Sequence, residues 1–230
     1  MRILALESSA TAASAAFVRD GVVMATAYQA SGLTHSRTLL PMVQSMLENA
    51  GLTLDDVDAL AVAHGPGSFT GLRIGVSLVK GLAFARDLPC IGVSTLEALA
   101  NNMPRQDAVL CAVMDARAGQ VYNALFDLSS DEPVRLTPDR AITLDALRAE
   151  LATLARPVVI AGDGAKLLAD AGTLVSENLR MQHAYGVARL AARVYAEGGE
   201  FSAATLRPEY LRLPQAERER LAKEQRERKE

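Results

Sequence analysis

Apolar runs separated by short polar links predict a chain in which strands and helices alternate. Residues 2–8, 14–19 and 22–27 are predicted as strands. Asp20-Gly21 between the last two predicts a two-residue hairpin turn, because glycine accepts the positive φ that such turns require. The pattern then predicts, in order, a helix at about 35–50, a strand at 59–63, a helix at about 70–85, a strand at 89–93 and a helix at 95–101.

The second half of the chain repeats this order of elements. It predicts strands at 108–114, 121–128 and 157–161 and helices at 143–154, after Gly164 and at 184–197. Each half thus holds a hairpin followed by a strand, a glycine-rich turn and a helix. This favours an α/β fold of two pseudo-repeated lobes, with mixed sheets flanked by helices.

We place the lobes at residues 1–104 and 105–214. Residues 215–230 differ from both, because eleven of these 16 residues are charged and only three are apolar. A segment with no apolar stripe to bury is expected to be disordered or a frayed helix.

Charge and composition exclude several classes of function. The 230 residues carry a formal net charge of −3, and aromatic residues make up 4% with no Trp, which argues against unaided nucleic-acid binding. Glu7 interrupts the first apolar run, so we expect no signal peptide, and no run reaches the roughly 20 apolar residues of a membrane helix. Cys90 and Cys111 lie in apolar runs, which predicts reduced core thiols in a cytoplasmic protein.

The most informative segment is His64–Gly75, where a strand enters a glycine-rich turn and then a helix. Free backbone N–H groups there can hold an anion, so Gly65 and Gly67 are candidate nucleotide-binding residues. The spacing fits neither a P-loop nor a dinucleotide fingerprint, and the glycines could equally serve only to turn the chain. Gly71 and Gly75 share one helix face, where they permit close packing within the chain or against a second subunit.

Catalytic motifs are absent from the sequence. The three histidines have no zinc-binding spacing, and Ser68 is not in a nucleophile elbow. Asp115 and Asp163, the latter beside Gly162, follow strands whose ends would face a ligand crevice, so all three are candidate cofactor-binding residues. Each aspartate could instead cap a turn or helix.

Four segments resemble the TsaB (YeaZ) family. They are Leu4–Ser9, His35–Pro41, His64–Gly75 with its extension to Ala83, and Met114–Tyr122. The match is dense over residues 1–128 and looser beyond them. The resemblance implies an actin-like ATPase (ASKHA) fold, in agreement with the repeated element order.

The resemblance also implies a division of labour with the related catalytic subunit TsaD. The two histidines of the TsaD metal motif fall on Thr95 and Leu99 here, and Leu99 cannot ligate a metal. This implies a non-catalytic scaffold with no metal and no catalytic residue. It would bind and activate TsaD, and through it the ATPase TsaE, to make N6-threonylcarbamoyladenosine at position 37 of tRNAs reading ANN codons.

The same resemblance implies further properties of the assembly. The chain would pair with itself when TsaD is absent and would meet tRNA only through the complex. It would hold no cofactor tightly, with ATP or ADP possible at the complex interface. The rival hypothesis is an actin-fold phosphotransferase or ATPase. The first loop, however, offers Ser8, Ser9 and Thr11 where such enzymes place an aspartate, which leaves only Asp115 for Mg–ATP.

In the family, the partner contact is a four-helix bundle made by the first two long helices, here 35–50 and 70–86. Met42 and Met46 extend the apolar surface of the first helix beyond what one sheet face needs, and Met adapts to different partners. The predicted interface residues are Leu40, Met42, Val43, Met46, Gly71, Arg73, Gly75 and Leu78.

Overall fold

The computed structural model describes residues 1–84 and 86–212. The first eight strands and α-helices all lie within two residues of their predicted ends, whereas the 3-10 turn Leu54–Asp56 was not predicted. They are β1 (Arg2–Glu7), β2 (Ala13–Arg19), β3 (Val22–Gln29), α1 (His35–Asn49), β4 (Ala59–Gly65), α2 (Phe69–Phe84), β5 (Cys90–Ser94) and α3 (Thr95–Ala100).

These strands form one mixed sheet in the order β3-β2-β1-β4-β5. β2 is antiparallel to β1, whereas β4 is parallel to it. The central strand is apolar at nearly every position because both of its faces are covered. Leu4 and Leu6 pack in one cluster with residues of α1 and α2, and Ile3 and Ala5 pack in another on the opposite face.

The second sheet repeats the first. Its elements are β6 (Val109–Asp115), β7 (Gln120–Asp127), β8 (Val134–Arg135), β9 (Arg140–Thr143), α4 (Leu144–Leu151), β10 (Val158–Ala161), β11 (Thr173–Leu174), α5 (Glu177–Arg180) and α6 (Ala184–Ala196). The strand order is β8-β7-β6-β10-β11, with β9 also paired to β7. β7 is antiparallel and β10 parallel to β6, as β2 and β4 are to β1. The predicted pseudo-repeat is therefore confirmed.

The helix at the carboxyl end of the described chain belongs to the first sheet. Val187 and Ala188 of α6 pack on Ile3 and Ala5, although the sequence placed them in the second lobe. Conversely, Leu96 of α3 belongs to the first half of the sequence but packs against the second sheet. The two halves thus exchange covering helices, and the division of the lobes at residues 104 and 105 stays a prediction.

Several short elements escaped prediction, and one predicted helix is much shorter. The segment after Gly164 forms only a 3-10 turn, Ala165–Leu168, while the two-residue strands β8 and β11 are too short to show periodicity. The predicted tail at 215–230 lies outside the described residues. Among residues 1–84 and 86–212, no helix has the length and apolar character needed to cross a bilayer.

Both cysteines are buried free thiols, as predicted. Burial raises the pKa of the Cys111 thiol to about 12 and also raises that of Cys90. Both are therefore protonated and unreactive at neutral pH.

Candidate functional site

The repeated topology places the carboxyl ends of β1, β4, β6 and β10 around one interlobe cleft. Its cavity has a volume of about 320 Å³. Residues after all four strands line it: Ser9, Ala10, Thr11, Gly67, Ser68, Phe69, Asp115, Arg117 and Asp163. Loops at the carboxyl ends of strands are the usual ligand sites of α/β folds. A second cavity of about 280 Å³ adjoins it and is lined by Gly162, Lys166 and Arg180.

The glycines of the loop and helix after β4 make room for the segment that follows β1. A β-carbon on Gly67 would lie 2.6 Å from the carbonyl oxygen of Ser9. A β-carbon on Gly71 would overlap the carbonyl oxygen of Ser8. A β-carbon on Gly75 would overlap the Ser8 hydroxyl. The Ser68 N–H donates to the Ser9 carbonyl at 2.7 Å.

Close packing at Gly71 and Gly75 was predicted correctly, and of the two predicted settings the structure shows packing within the chain, so including these glycines in the partner interface was wrong. Both glycines are buried against their own chain, so neither belongs to a surface that meets a partner helix.

Gly65, the first candidate for an anion-binding turn, contacts a different part of the chain. Its φ is 151°, a conformation that only glycine adopts readily. A β-carbon there would overlap the carbonyl group of Glu209, whose N–H donates to the His64 carbonyl at 2.7 Å. The chain's own backbone therefore covers this part of the turn. Gly162 is likewise constrained by packing, because a β-carbon would overlap the Val113 carbonyl.

Two aspartates face each other across the cleft ends of β6 and β10. Asp115 accepts the Arg117 N–H at 2.8 Å and pairs with the Arg117 guanidinium at 3.2 Å, so it caps the β6–β7 turn. Asp163 is largely buried and accepts from the Gln182 amide at 3.3 Å. Burial raises the pKa of Asp163, and the charge of Asp115 adds to this rise. Asp115 thus caps a turn, which is the alternative to a cofactor-binding role. Asp163 is a largely buried carboxyl group at the cleft and stays a candidate cofactor-binding residue.

Glu7, at the end of β1, is a buried carboxylate that was not among the predicted site residues, because a lone carboxylate is not an acid/base pair. Its Oε1 accepts from the Ser9 N–H at 2.6 Å and from the Ser9 hydroxyl. Its Oε2 has no hydrogen-bond partner within the described chain. Burial, the largest effect, raises the pKa of Glu7 to about 7 against the lowering effect of those hydrogen bonds. The sequence could have indicated Glu7 as a site residue, because an acidic residue there interrupts an apolar strand.

Thr95 and Leu99, where the family resemblance places the TsaD metal histidines, are part of the interior. Thr95 and Leu99 are both buried, and Leu99 packs in the core of the second lobe. Residues 1–84 and 86–212 contain no group of three His, Cys, Asp or Glu side chains placed to hold a metal ion.

The predicted partner interface divides into buried and exposed residues. Val43 and Met46 of α1 are in the core of the first lobe, so assigning them to the interface was wrong. Their side chains point toward the sheet because they are spaced with Leu39 and Leu47 along the inward face of the helix. Leu40 is 40% exposed, whereas Met42 is partly buried at the edge of that core.

On α2, the exposed face differs from the predicted one. Leu78 is partly buried and Arg73 is exposed. The Arg73 guanidinium lies 3.8 Å from the centroid of the Phe69 ring. Ser77 and Gly81 continue the exposed stripe, which ends at Phe84 with 90% exposure. We call Leu40 of α1 together with Arg73, Ser77, Leu78, Gly81 and Phe84 of α2 the outer helix face. The sequence could have indicated Gly81, because it is a glycine in the middle of a helix and lies outside the apolar stripe of that helix.

The repeated strand order and the cleft define a class: the chain is a two-lobed α/β protein whose mixed sheets are flanked by helices. Residues 24–149 match the family described as TsaD, tRNA N6-adenosine threonylcarbamoyltransferase. The chain is 36% identical over 113 residues to the protein of that name from Geobacter, but this covers only 42% of the chain and 33% of that protein.

Full-length similarity points to a narrower group. The chain is 33% identical over 220 residues to the tRNA threonylcarbamoyladenosine biosynthesis protein TsaB of Escherichia coli, covering 92% of this chain and 95% of that protein. The structure of YeaZ from Pseudomonas aeruginosa superposes with a TM-score of 0.76 at 30% identity, covering 91% of this chain and 99% of the other. The chain belongs to the TsaB family, which confirms the resemblance drawn from its motifs.

Proposed function

We propose that this chain is a non-catalytic subunit that binds and activates TsaD, and through it TsaE, in forming N6-threonylcarbamoyladenosine at position 37 of tRNAs reading ANN codons. The outer helix face is the observation that carries the proposal. In this proposal, tRNA is met only through the complex, and the same face pairs two copies of the chain when TsaD is absent.

Gly81 is the residue that most favours docking of a partner helix on the outer helix face. Apart from the two adjacent residues and the nearby backbone of α2 itself, no atom of the described chain lies within 4 Å of the position that a β-carbon on Gly81 would take. Glycine in the middle of a helix costs about 1 kcal/mol relative to alanine, so this residue weakens α2 without any packing need inside the chain. Ser77 lies one turn before Gly81 on the same side. Such small residues let the backbone of a docking helix approach closely.

Exposed apolar side chains occur on the same two helices as this small-residue strip. Leu40 and Phe84 are exposed, and α1 and α2 pack side by side. Burying a few such side chains at the centre of a contact can supply most of its binding energy. In the proposed interface, a helix of the partner packs closely on Ser77 and Gly81, and the exposed apolar side chains contribute to binding.

Substitution of Gly81 separates binding from folding. Gly81→Leu fills the approach path but favours the helix, so we expect a folded chain that is slightly more stable, with affinity for TsaD at least tenfold lower. Ala149→Leu, at an exposed position of α4, is the matched control and should bind normally. Affinity is measured by titration calorimetry and stability by urea unfolding. Wild-type affinity of a folded Gly81→Leu chain would refute the interface.

The proposal of a non-catalytic role rests on the polar groups of the cleft. Ser8 and Ser9 occupy the first loop where a phosphotransferase would place a carboxylate, and both are fully buried. Asp115 is engaged in its own turn. We expect no tightly bound cofactor and no ATP hydrolysis by the isolated chain, with any ATP or ADP held at the complex interface. An ATPase assay of the chain with and without TsaD tests this.

A further inference from the structure

After α6 the chain returns to the cleft. Residues 207–212, here called the strap, follow Leu206, which is buried in the core of the first lobe. The backbone N–H of Glu209 donates to the His64 carbonyl at 2.7 Å, and the Glu209 carbonyl lies against Gly65. The strap therefore begins as an added backbone layer over the glycine-rich turn.

An aromatic contact fixes the middle of the strap to α2. The ring of Tyr210 lies 4.7 Å from that of Phe69, centroid to centroid. The Arg73 guanidinium donates to the Tyr210 hydroxyl at 3.0 Å while stacking on the Phe69 ring. These three side chains form an anchor on the first lobe.

The end of the strap is fixed to the second lobe. Arg212 donates to the Ala116 carbonyl at 2.6 Å, within the turn that joins β6 and β7. Arg117 and Ala118 in this turn have positive φ values of 65° and 53°. A charged donor on a backbone carbonyl forms one of the stronger hydrogen bonds in proteins. The strap thus joins both lobes across the mouth of the cleft.

We propose that the strap is a latch that keeps the cleft covered and can open without unfolding the protein. Tyr210 and Leu211 are each 40% exposed, so the strap buries little apolar surface of its own. Segments with few buried apolar contacts open locally at a fraction of the free energy of global unfolding. Release of the strap exposes the glycine-rich turn and the β6–β7 turn to solutes.

A cysteine reporter on the second lobe tests whether the strap moves as one unit. Ala116 is 7% exposed and lines the cleft, and the two native thiols are buried and unreactive. In Ala116→Cys protein, the maleimide labelling rate reports access to the cleft. Adding Tyr210→Ala, which removes only the first-lobe anchor, should raise this rate at least tenfold.

Tyr195→Ala is the matched control, because Tyr195 is 41% exposed and also packs on one phenylalanine ring, that of Phe201, outside the strap. It should leave the labelling rate unchanged. A rate within twofold of the parent in a folded Tyr210→Ala protein would overturn the proposal, as would an equal rise in both variants.

Hydrogen exchange of the wild-type protein tests the latch without any substitution. The Glu209 amide should exchange more slowly than an unstructured peptide but at least tenfold faster than the amides of β1 and β4. Exchange at the peptide rate would show that nothing holds the strap. Exchange at the rate of the strand amides would show that the strap opens only when the protein unfolds. Either result would overturn the proposal.

Discussion

Ser8 and Gly71 meet at two points that fix α2 on the end of β1. The Ser8 hydroxyl donates to the Gly71 carbonyl at 3.0 Å, and the Ser8 carbonyl oxygen occupies the space that a β-carbon on Gly71 would need. The helix can approach this closely only because residue 71 has no side chain.

A pair of matched glycine substitutions follows from this contact. Gly71→Ala forces a methyl group against backbone, and we expect a loss of about 3 kcal/mol in the free energy of unfolding. Gly81→Ala meets open space in the same helix and should gain about 1 kcal/mol. Urea unfolding of both variants measures these changes. Equal effects at the two positions would contradict the packing described for Gly71.

Charge substitutions on α1 distinguish its two faces. Met46→Glu places a carboxylate in the core, so we expect the chain to lose several kcal/mol of stability or fail to fold. Leu40→Glu changes an exposed residue and should leave stability within about 0.5 kcal/mol while weakening TsaD binding. Circular dichroism melts and a pull-down with TsaD separate the two effects. A well-folded Met46→Glu chain would argue against the burial of Met46.

Glu7 should make stability depend on pH in an unusual direction. Its pKa is raised to about 7 in the folded protein, so the folded state holds a proton that the unfolded state releases near pH 4.5. Stability from this group is fully present below about pH 4.5 and is lost as pH rises to about 7.

The substitution Glu7→Gln removes this dependence. It keeps an acceptor for the Ser9 N–H and has no charge to bury, so its stability relative to wild type should grow by up to about 3 kcal/mol between pH 5 and pH 8. Urea unfolding across that range measures the difference. A difference between the two proteins that stays constant with pH would contradict the raised pKa.

Metal analysis provides a further test of the non-catalytic role. With Thr95 and Leu99 at the positions of the TsaD ligands, the isolated chain should retain no stoichiometric Zn²⁺ or Fe²⁺ after dialysis. Elemental analysis by plasma mass spectrometry checks this, with TsaD as the positive control. About one tightly bound metal per chain would contradict the proposed function.

Sequence patterns predicted the elements well because strand and helix formation depends on neighbouring residues. They also predicted the pseudo-repeat, since both halves use the same element order. They did not predict which surface Gly71 meets, because Ser8 is far away in the sequence. Nor did they separate Leu40 from Val43, whose exposures depend on how α1 is rotated over the sheet. The contact of Glu209 with Gly65 joins distant parts of the chain and left no local signal.

The exchange of helices between the two halves imposes an order on synthesis. Ile3 and Ala5 leave the ribosome before the second sheet, but Val187 and Ala188, which cover them, emerge only after the whole second sheet. Until then, one apolar face of the first sheet is uncovered, a condition that favours chaperone binding and aggregation. The first sheet cannot mature ahead of the second, so translation must deliver α6 before the first sheet is fully covered.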